Sequence, residues 1–364
     1  MPVDPGVGES LAARVAAIVA DAELALLRLL AQRLREGDDE TWTLTRLAQV
    51  QQLRLDLQRG VRTFDQQVVA GIQQVVLEAY NLGAGLAVQD LDDADVPAVV
   101  LADPVGAAAA AAAPAAANAR EAVRRLPQVL TAAYVEAVQA GAAEVTGGKV
   151  TRLQASQHVL DRLTANGVGS FVDRSGRRWA LTSYVEMATR TATGQAAVQG
   201  HVDSLSAAGL DLVVVSDAPR ECPLCRPWEG KVLSTSGRMV GDVVTRSVTS
   251  RASVRVRVAG SLEQARADGF QHPNCRHSVS AYLPGATPLQ RPRSDPDGYE
   301  AAQRQRAMER RLREWKRREA LALTPEAAAR ARVKTRQWSA ALAEHVDEND
   351  LKRLRRRERP TGAT

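Results

Sequence analysis

The chain has 364 residues, of which 45% are hydrophobic and 4% are aromatic, and its net charge is +6. This length is typical of two or three domains, and the hydrophobic content is sufficient for a sizeable core. Three cysteines are too few for a disulfide-rich scaffold and fit a reducing compartment, where they favour a metal site over disulfides.

Membrane-spanning and secreted proteins are the first classes that the sequence argues against. No stretch offers about 18 consecutive apolar residues, and the closest candidate, residues 96–117, is interrupted by Asp103 and by three prolines. Residues 1–5 lack the basic and apolar regions of a signal peptide. We therefore expect a protein that is assembled in a cytoplasm and has no membrane partner.

Residues 1–90 are predicted to form an extended helical region. Apolar residues recur there at spacings of three and four in successive runs, at 11–29, 44–57 and 64–80. The first run is followed by a Gly-Asp-Asp break, and the third is expected to end near residues 81–83. Long amphipathic helices with short breaks favour an antiparallel bundle or an extended helical arm.

Residues 91–118 are predicted to be a linker rich in alanine and proline. Seven consecutive alanines, 107–113, are flanked there by Gly106 and Pro114. Such a segment is either a helical spacer or a flexible linker, and its three prolines favour an interrupted structure. A helical pattern resumes in residues 119–170, which lead into the central domain.

Residues 171–290 combine strand and helix patterns and are predicted to form a compact α+β domain. A hairpin is expected at 171–179, followed by a helix at 182–208 with a break near Gly194 or Gly200. Short apolar segments predict further strands at 212–215 and 279–283, and the alternating segment 243–258 predicts an exposed strand or a hairpin.

Residues 291–364 are predicted to form a charged helical tail. They contain 20 basic and 12 acidic residues, a surplus of +8, so that the first 290 residues carry about −2 of the total charge. Thr324 followed by Pro325 is typical of the start of a helix. Apolar residues continue along one face of the tail, at Met308, Leu312, Trp315, Val333, Trp338 and Leu342.

One group of residues in the central region points to metal binding. Cys222 and Cys225 flank a Pro-Leu pair, and 47 residues later His272 and Cys275 have the same spacing. Two cysteines at this spacing direct their thiolates the same way, and the second pair completes a set of three sulfurs and one nitrogen, which prefers tetrahedral Zn²⁺. Four protein ligands leave no open coordination position, so the zinc would be structural. His277 is a substitute ligand.

The alternative interpretation of this group is ordinary buried thiols. Zinc is favoured because all three cysteines of the chain fall in two short motifs, each with a partner at chelating spacing. The predicted fold is therefore mainly α with a central α+β zinc-containing domain, between an extended helical N-terminal region and a charged helical C-terminal tail.

Candidates for catalysis are weaker than the metal-binding group. Glu186 and Arg190 are four residues apart on a predicted helix, which is typical of a surface or interface ion pair. His201 and Asp203 could serve as acid and base, although a histidine beside an aspartate is more often structural. The sequence contains no phosphate-binding loop and no common hydrolase motif.

Two further sets of residues are candidates for contacts with partners. A short run of arginines could contact DNA or a protein, although charge runs are usually solvated: Arg353, Arg355, Arg356 and Arg357. Three tryptophans are expected to be packing or interface anchors, because aromatic residues are scarce in this chain: Trp228, Trp315 and Trp338.

The order of these motifs resembles the phage minor capsid protein 2 family. The resemblance rests on the helical N-terminal region, on Tyr184 to Thr191, on the Cys-Pro-Leu-Cys turn with the following Trp-Glu-Gly-Lys-Val, on His-Pro-Asn-Cys-Arg-His at 272–277 and on the charged tail. It spans about residues 10–357, and the two cysteine motifs are its most specific parts. The family is similar to the Mu F-like head-morphogenesis proteins, which share a related His-Pro-Asn-Cys-Arg ending.

This resemblance implies a low-copy structural protein of a tailed-phage head, encoded by a phage or prophage. The protein would be located in the virion after assembly in the bacterial cytoplasm. Its partners would be the portal and other capsid proteins and packaged DNA, with no small-molecule substrate. The resemblance supplies no catalytic residue, and some relatives replace the cysteines, so the metal would stabilise the fold.

Two other classes of function stay open at this point. A zinc-containing DNA-binding protein of the head is favoured by the basic tail and disfavoured by the acidic stretch at 344–350. A head-associated protease or transferase would need a nucleophile and a base, for which the sequence offers no recognisable pair. We therefore expect a structural protein and not an enzyme.

Overall fold

The computed structural model describes residues 5–36, 42–146, 151–166, 171–172, 178–218, 220–273, 275–289 and 292–360. The α-helices of this part of the chain are α1 Pro5–Arg35, α2 Trp42–Ala48, α3 Val50–Asp92, α4 Pro104–Arg124, α5 Leu126–Thr146, α6 Arg152–Asn166, α7 Leu181–Ala207, α8 Leu262–Ala267, α9 Pro296–Leu321 and α10 Pro325–Glu348. The strands are β1 Phe171–Val172, β2 Arg178–Trp179, β3 Leu212–Val215, β4 Val232–Ser234, β5 Gly241–Arg246, β6 Ser253–Ser261 and β7 Val279–Ala281. Among the described helices, none combines the length and apolar character that a bilayer crossing requires.

The chain divides into two compact units, each assembled from separate stretches of sequence. The first unit comprises residues 1–13, 71–116 and 186–300, and the second comprises residues 14–70, 117–185 and 301–364. The mainly helical character that was predicted is confirmed, with a small mixed sheet in the first unit. The five consecutive regions expected from the sequence stay a prediction.

The five-stranded sheet of the first unit has the order β5-β6-β4-β3-β7. β4 and β6 are parallel, and the other neighbouring strands are antiparallel. The predicted strands at 212–215 and 279–283 and the predicted hairpin within 243–258 are confirmed. In the second unit β1 pairs with β2 as expected, whereas the turn of that hairpin lies outside the described residues.

Alternation along β3 divides the apolar side chains of the sheet between two clusters, because successive side chains of a strand point to opposite faces. Val213 and Val215 join a buried core with residues of α3, α7 and α8 and with Cys222 and Cys225. Leu212 belongs to the other cluster, with residues from β4 and β6 and with Tyr282. The predicted thiol ligands are therefore anchored in the larger core.

α7 is one continuous helix, although a break near Gly194 or Gly200 was predicted from the sequence. Gly200 lies against α3: a Cβ atom at this position would be 2.1 Å from the carbonyl oxygen of Tyr80. Gly83 of α3 has the reciprocal contact, with a Cβ position 1.8 Å from the carbonyl oxygen of Ala197. These glycines therefore permit close approach of two helix backbones instead of ending a helix.

The same contact explains a second difference in the helical region. The third apolar run, which was expected to end near residues 81–83, lies in a 43-residue helix, α3, that begins within the second run and continues to Asp92. Ala87 and Leu91 in its last turns are fully buried in the core of the first unit. Tertiary burial thus carries the helix past Gly83, where the local pattern indicated an end.

The alanine-rich segment is helical from Pro104 to Arg124, with Pro114 inside the helix, although an interrupted structure was expected. Alanine has the most favourable intrinsic helix propensity, and a proline in a helix interior costs about 3 kcal/mol. Six alanines of α4 are buried, which offsets part of that cost: Ala108, Ala112, Ala115, Ala116, Ala119 and Ala122. Residues 96–103, before α4, form no regular element.

The charged tail forms α9 and α10, as predicted. Thr324 caps α10 by accepting a hydrogen bond from the backbone N–H of Ala327, and Pro325 occupies the first turn. Leu312 and Leu342 are fully buried. The expectation that Val333 continues their apolar stripe is wrong, because its side chain is 50% exposed.

Candidate metal centre

The first two thiols of the candidate centre lie in a tight turn after β3. The backbone N–H groups of Cys225 and Arg226 both donate to the carbonyl oxygen of Cys222, at 3.2 and 3.1 Å. The turn continues into a short 3-10 helix, Arg226–Trp228. Cys225 is fully buried and Cys222 is 8% exposed, so the turn directs both thiols towards the protein interior.

The second half of the centre lies between α8 and β7. His272 Nε2 is 2.8 Å from Cys222 Sγ, and the sulfurs of Cys225 and Cys275 are 3.4 Å apart. Cys275 Sγ is also 3.5 Å from His277 Nδ1. The fold thus brings together all five residues that the sequence singled out, from Cys222 to His277.

These five residues form two overlapping groups and not one group of four. Cys222, Cys225 and His272 make one group and Cys225, Cys275 and His277 make the other, with the ligand atoms of each group within 4.8 Å of one another. Cys225 is common to both. The structure therefore gives His277 the same standing as His272, whereas the sequence interpretation treated it as a substitute.

Glu229 supports the second group and was not identified from the sequence. Its Oε1 atom is 2.6 Å from His277 Nε2, and both side chains are almost fully buried. A proton on Nε2, shared with this carboxylate, leaves Nδ1 with a lone pair on the side of Cys275, which is the arrangement common behind metal-bound histidines. Two signals in the sequence pointed to this residue: Glu229 is four residues after Cys225, and it belongs to the Trp-Glu-Gly-Lys-Val segment that carries the family resemblance.

The thiols and imidazoles of the centre shift one another's pKa values. The neighbouring Cys225 thiol and burial raise the pKa of Cys222 to about 12. Hydrogen bonding to Cys222 lowers the pKa of Cys225 and raises the pKa of His272 to about 10. Burial opposes protonation of His277, but hydrogen bonds to Cys225 and Glu229 outweigh it and raise the pKa. Protons shared among adjacent sulfurs and imidazoles are what a metal cation displaces on binding.

The donor chemistry fits a zinc ion. Three thiols and imidazole nitrogens, gathered in a largely buried cluster, match the sulfur and nitrogen ligands of structural zinc sites and not the oxygen ligands of magnesium or calcium. Of the four ligands, three would be the cysteines, and either His272 or His277 could be the fourth. The arrangement could hold a metal ion that ties the Cys222–Cys225 turn to the segment before β7.

The candidate acid and base residues are engaged in structural contacts. Glu186 and Arg190 form an ion pair at 2.7 Å, four residues apart on α7. Asp203 accepts hydrogen bonds from the hydroxyl of Tyr80, at 2.6 Å, and from the amide of Gln199, at 2.7 Å. His201 is fully buried. The geometry therefore favours a structural role for these residues.

The tail arginines differ in how accessible they are. Arg353 is held by Glu358, at 2.5 Å, and also donates to Ser339. Arg357 is half-buried, and its guanidinium is 3.9 Å from Glu309. Arg355 and Arg356 are exposed. The predicted DNA or partner contacts of this run remain a prediction, with these two exposed side chains as the accessible members.

The three tryptophans are all half-buried. Trp228 packs against the core of the first unit, directly after the cysteine turn. In the second unit the guanidinium of Arg318 lies 4.5 Å from the ring centroid of Trp315, and Trp338 lines a cleft. Their placement is compatible with packing, and their role as interface anchors remains a prediction.

Comparisons with known proteins identify the family of this chain. Residues 3–347 match the model of the family described as phage minor capsid protein 2. The chain is also 24% identical over 226 residues to a "Structural protein" of Lactococcus phage LL-H, which covers 60% of this chain and 58% of that protein. No solved structure matches the chain. Because the family match extends over nearly all of its residues, the chain belongs to the phage minor capsid protein 2 family.

Proposed function

We propose that this protein is a low-copy structural component of a phage head, located in the virion after assembly in the host cytoplasm. The family match over residues 3–347 is the observation that carries this proposal. The name of the Lactococcus phage relative supports it, although the aligned region covers 58% of that protein. The structural engagement of Glu186 and Asp203 supports a role in contacts and not in catalysis.

Binding of the portal and other capsid proteins is the proposed molecular activity. An exposed apolar segment near the start of α4 supports it: Val99 is 48% exposed, Val100 is 94% exposed and Val105 is 62% exposed. Apolar side chains exposed together commonly mark a protein interaction surface. Such contacts would serve head morphogenesis or the packaging and delivery of DNA.

A structural zinc ion is the proposed cofactor. Its ligands would be Cys222, Cys225 and Cys275, with His272 as the fourth and His277 as its substitute. Apparent binding of zinc to such sites is worth about 10–16 kcal/mol, enough to hold a region in which short strands are joined by long loops. The ion would stabilise the sheet region and would take no part in a reaction.

The test of the structural role is the composition of the particle. Mass spectrometry of purified virions should detect the chain at a copy number far below that of the major capsid protein. A tagged chain should also retain the portal protein of the same genome in affinity capture. The variant that tests the exposed apolar segment is Val99→Ser/Val100→Ser, which should retain less portal protein than the wild type. Its melting temperature is the control and should equal that of the wild type.

Two results would contradict this proposal. Absence of the chain from purified particles would remove the structural role itself. Capture of duplex DNA at about 0.15 M salt, lost when Arg355 and Arg356 are replaced by glutamine, would favour the alternative of a DNA-binding protein of the head.

A further inference from the structure

A cleft of about 570 Å³ lies in the second unit and is bordered mainly by α9, with residues from the end of α6, the start of α7 and α10. This volume is within the range of ligand-binding pockets. Its charged lining residues are Arg304, Arg310, Arg311, Arg313, Arg317 and Glu314. Five arginines thus face one carboxylate, which makes the cleft strongly cationic.

The carboxylates near the cleft are already engaged by arginines. Glu314 is 2.9 Å from Arg311 and 2.8 Å from Arg318. Glu23, which is fully buried, is 3.1 Å from Arg317 and also accepts a hydrogen bond from the hydroxyl of Thr182. These two carboxylates are therefore not available to the other arginines of the cleft, and a bound anionic ligand could supply further negative charge there.

Two of the lining arginines have hydrogen-bonding capacity to offer a ligand. Arg304 is exposed and forms no ion pair within the part of the chain that the structure describes. Arg317 Nε is buried without a hydrogen-bond partner, although the other end of its guanidinium pairs with Glu23. A buried donor without a partner is rare in native proteins, and an acceptor bound in the cleft would supply one.

The cleft also has apolar walls. Met308, Ala307 and Trp338 line it together with the arginines. A suitable ligand therefore combines negative charge with apolar surface. Arginine guanidinium groups bind carboxylates through two parallel hydrogen bonds, and clusters of arginines are a common means of recognising acidic peptide segments.

Duplex DNA is a poorer match for this shape. Proteins contact a duplex by reaching its phosphates and grooves from outside, with helices, strands or extended side chains. A concave cleft of about 570 Å³ could receive only a narrow segment. The shape therefore favours a peptide over a duplex.

We propose that this arginine cleft binds an acidic peptide segment of a partner protein. Aspartate or glutamate carboxylates would be held by Arg304 and Arg317, and apolar side chains would lie against Met308 and Trp338. The chemistry of the site is independent of the proposed function. Only the identification of the partner as another head protein rests on that function.

The test uses the full-length chain and a fluorescein-labelled peptide of six glutamates, with binding followed by fluorescence anisotropy. The double variant Arg304→Glu/Arg310→Glu should weaken binding by at least about tenfold, because it removes the contact of Arg304 and reverses two of the positive charges that line the cleft. The matched control is Arg332→Glu/Arg336→Glu, which makes the same change of charge at two exposed positions of α10 outside the cleft. The control should bind within about twofold of the wild type.

A third, milder variant keeps the test decisive if the double glutamate variant fails to fold. Arg304→Gln removes one exposed charge and should weaken the glutamate peptide by about threefold, with unchanged circular dichroism and melting. Three outcomes would overturn the proposal: no binding of the peptide by the wild type, an equal loss in the cleft and control variants, or tighter binding of a single-stranded or duplex oligonucleotide through the same arginines. Peptide binding without capture of the portal protein would support the acidic-peptide site and contradict only the proposal that its partner is the portal protein.

Discussion

Two regions of the first unit are held together by contacts of different kinds. In the sheet region the candidate contacts are concentrated in one cluster, where three thiols and two imidazoles lie within a few ångströms of one another. Between helices α3 and α7 the contacts are spread along an interface, which includes the reciprocal contacts of Gly83 and Gly200. Both regions contribute to the same buried core.

The difference shows which kinds of contact can be recognised in a single sequence. Cysteine and histidine are scarce in this chain, so their short spacing at 222–225 and 272–277 stands out. The chain has 25 glycines, and a glycine at a helix contact has the same local appearance as one that ends a helix. The following predictions sharpen this contrast between concentrated and distributed stabilisation.

The largest effect is expected at the candidate metal centre. Replacing Cys222 and Cys225 together by serine should reduce the zinc content from about one ion per chain to almost none. Because zinc binding contributes folding free energy, we expect a loss of stability on the order of 5 kcal/mol or more. Elemental analysis measures the metal, and hydrogen exchange of the amides in β3 and β7 measures the local stability.

The control for this variant lies in the same turn. Leu224 is 55% exposed and offers no ligand atom, so Leu224→Ser should leave the zinc content and the protection of β3 unchanged. Retention of zinc by the double cysteine variant, or unaltered melting, would rule out the structural zinc site.

A smaller loss is expected at the contact between the two helices. Gly200→Ala places a methyl group 2.1 Å from the carbonyl oxygen of Tyr80, so the helix backbones must separate, at a cost of about 1–3 kcal/mol. The matched control is Gly194→Ala on the same helix, where nothing lies within 4 Å of the added Cβ. That change should stabilise the protein by about 0.5–1 kcal/mol.

Thermal and urea denaturation of the two alanine variants decide this prediction. Opposite signs for Gly200→Ala and Gly194→Ala are the expected result. Stabilisation by both would show that the helices can separate without cost, and would remove the distributed contact from the explanation of the fold.

At neutral pH the smallest effect is expected at His201, and it grows only as the pH is lowered. His201 of α7 is fully buried, and burial lowers its pKa to about 4, even though Asp90 of α3 lies 3.5 Å away and Asp203 follows two residues later. The folded state thus binds this proton less readily than the unfolded state, whose histidine pKa is about 6.5. The resulting stability is present above about pH 6.5 and is lost as the pH falls towards 4, by at most about 3 kcal/mol.

Comparison of wild type with His201→Gln isolates this contribution, because other titrating groups are common to both proteins. The variant should lose less stability than the wild type between pH 6.5 and 4. His158→Gln, at an exposed position, should follow the wild-type curve. Parallel curves for wild type and His201→Gln would contradict the buried, neutral histidine.

Much of the architecture could be predicted from the sequence alone. The period of the apolar residues indicated a mainly helical chain, the alternating valines indicated the β5–β6 hairpin, and Thr324-Pro325 marked the start of α10. The residues of the candidate metal centre were identified by type and spacing. These features are local, because each depends on residues within one or two turns or on a rare side chain.

Tertiary structure alone decided the remaining features. It brought Cys225 to Cys275 and His277, placed Glu229 behind that histidine, carried α3 past Gly83 and packed other helices around the arginines of α9 to form one cleft. Each of these depends on which face of an element meets another element far away in the chain. A sequence specifies such contacts only through the packing of the whole molecule, since backbone approach, buried hydrogen bonds and charge compensation are settled between elements and not within them.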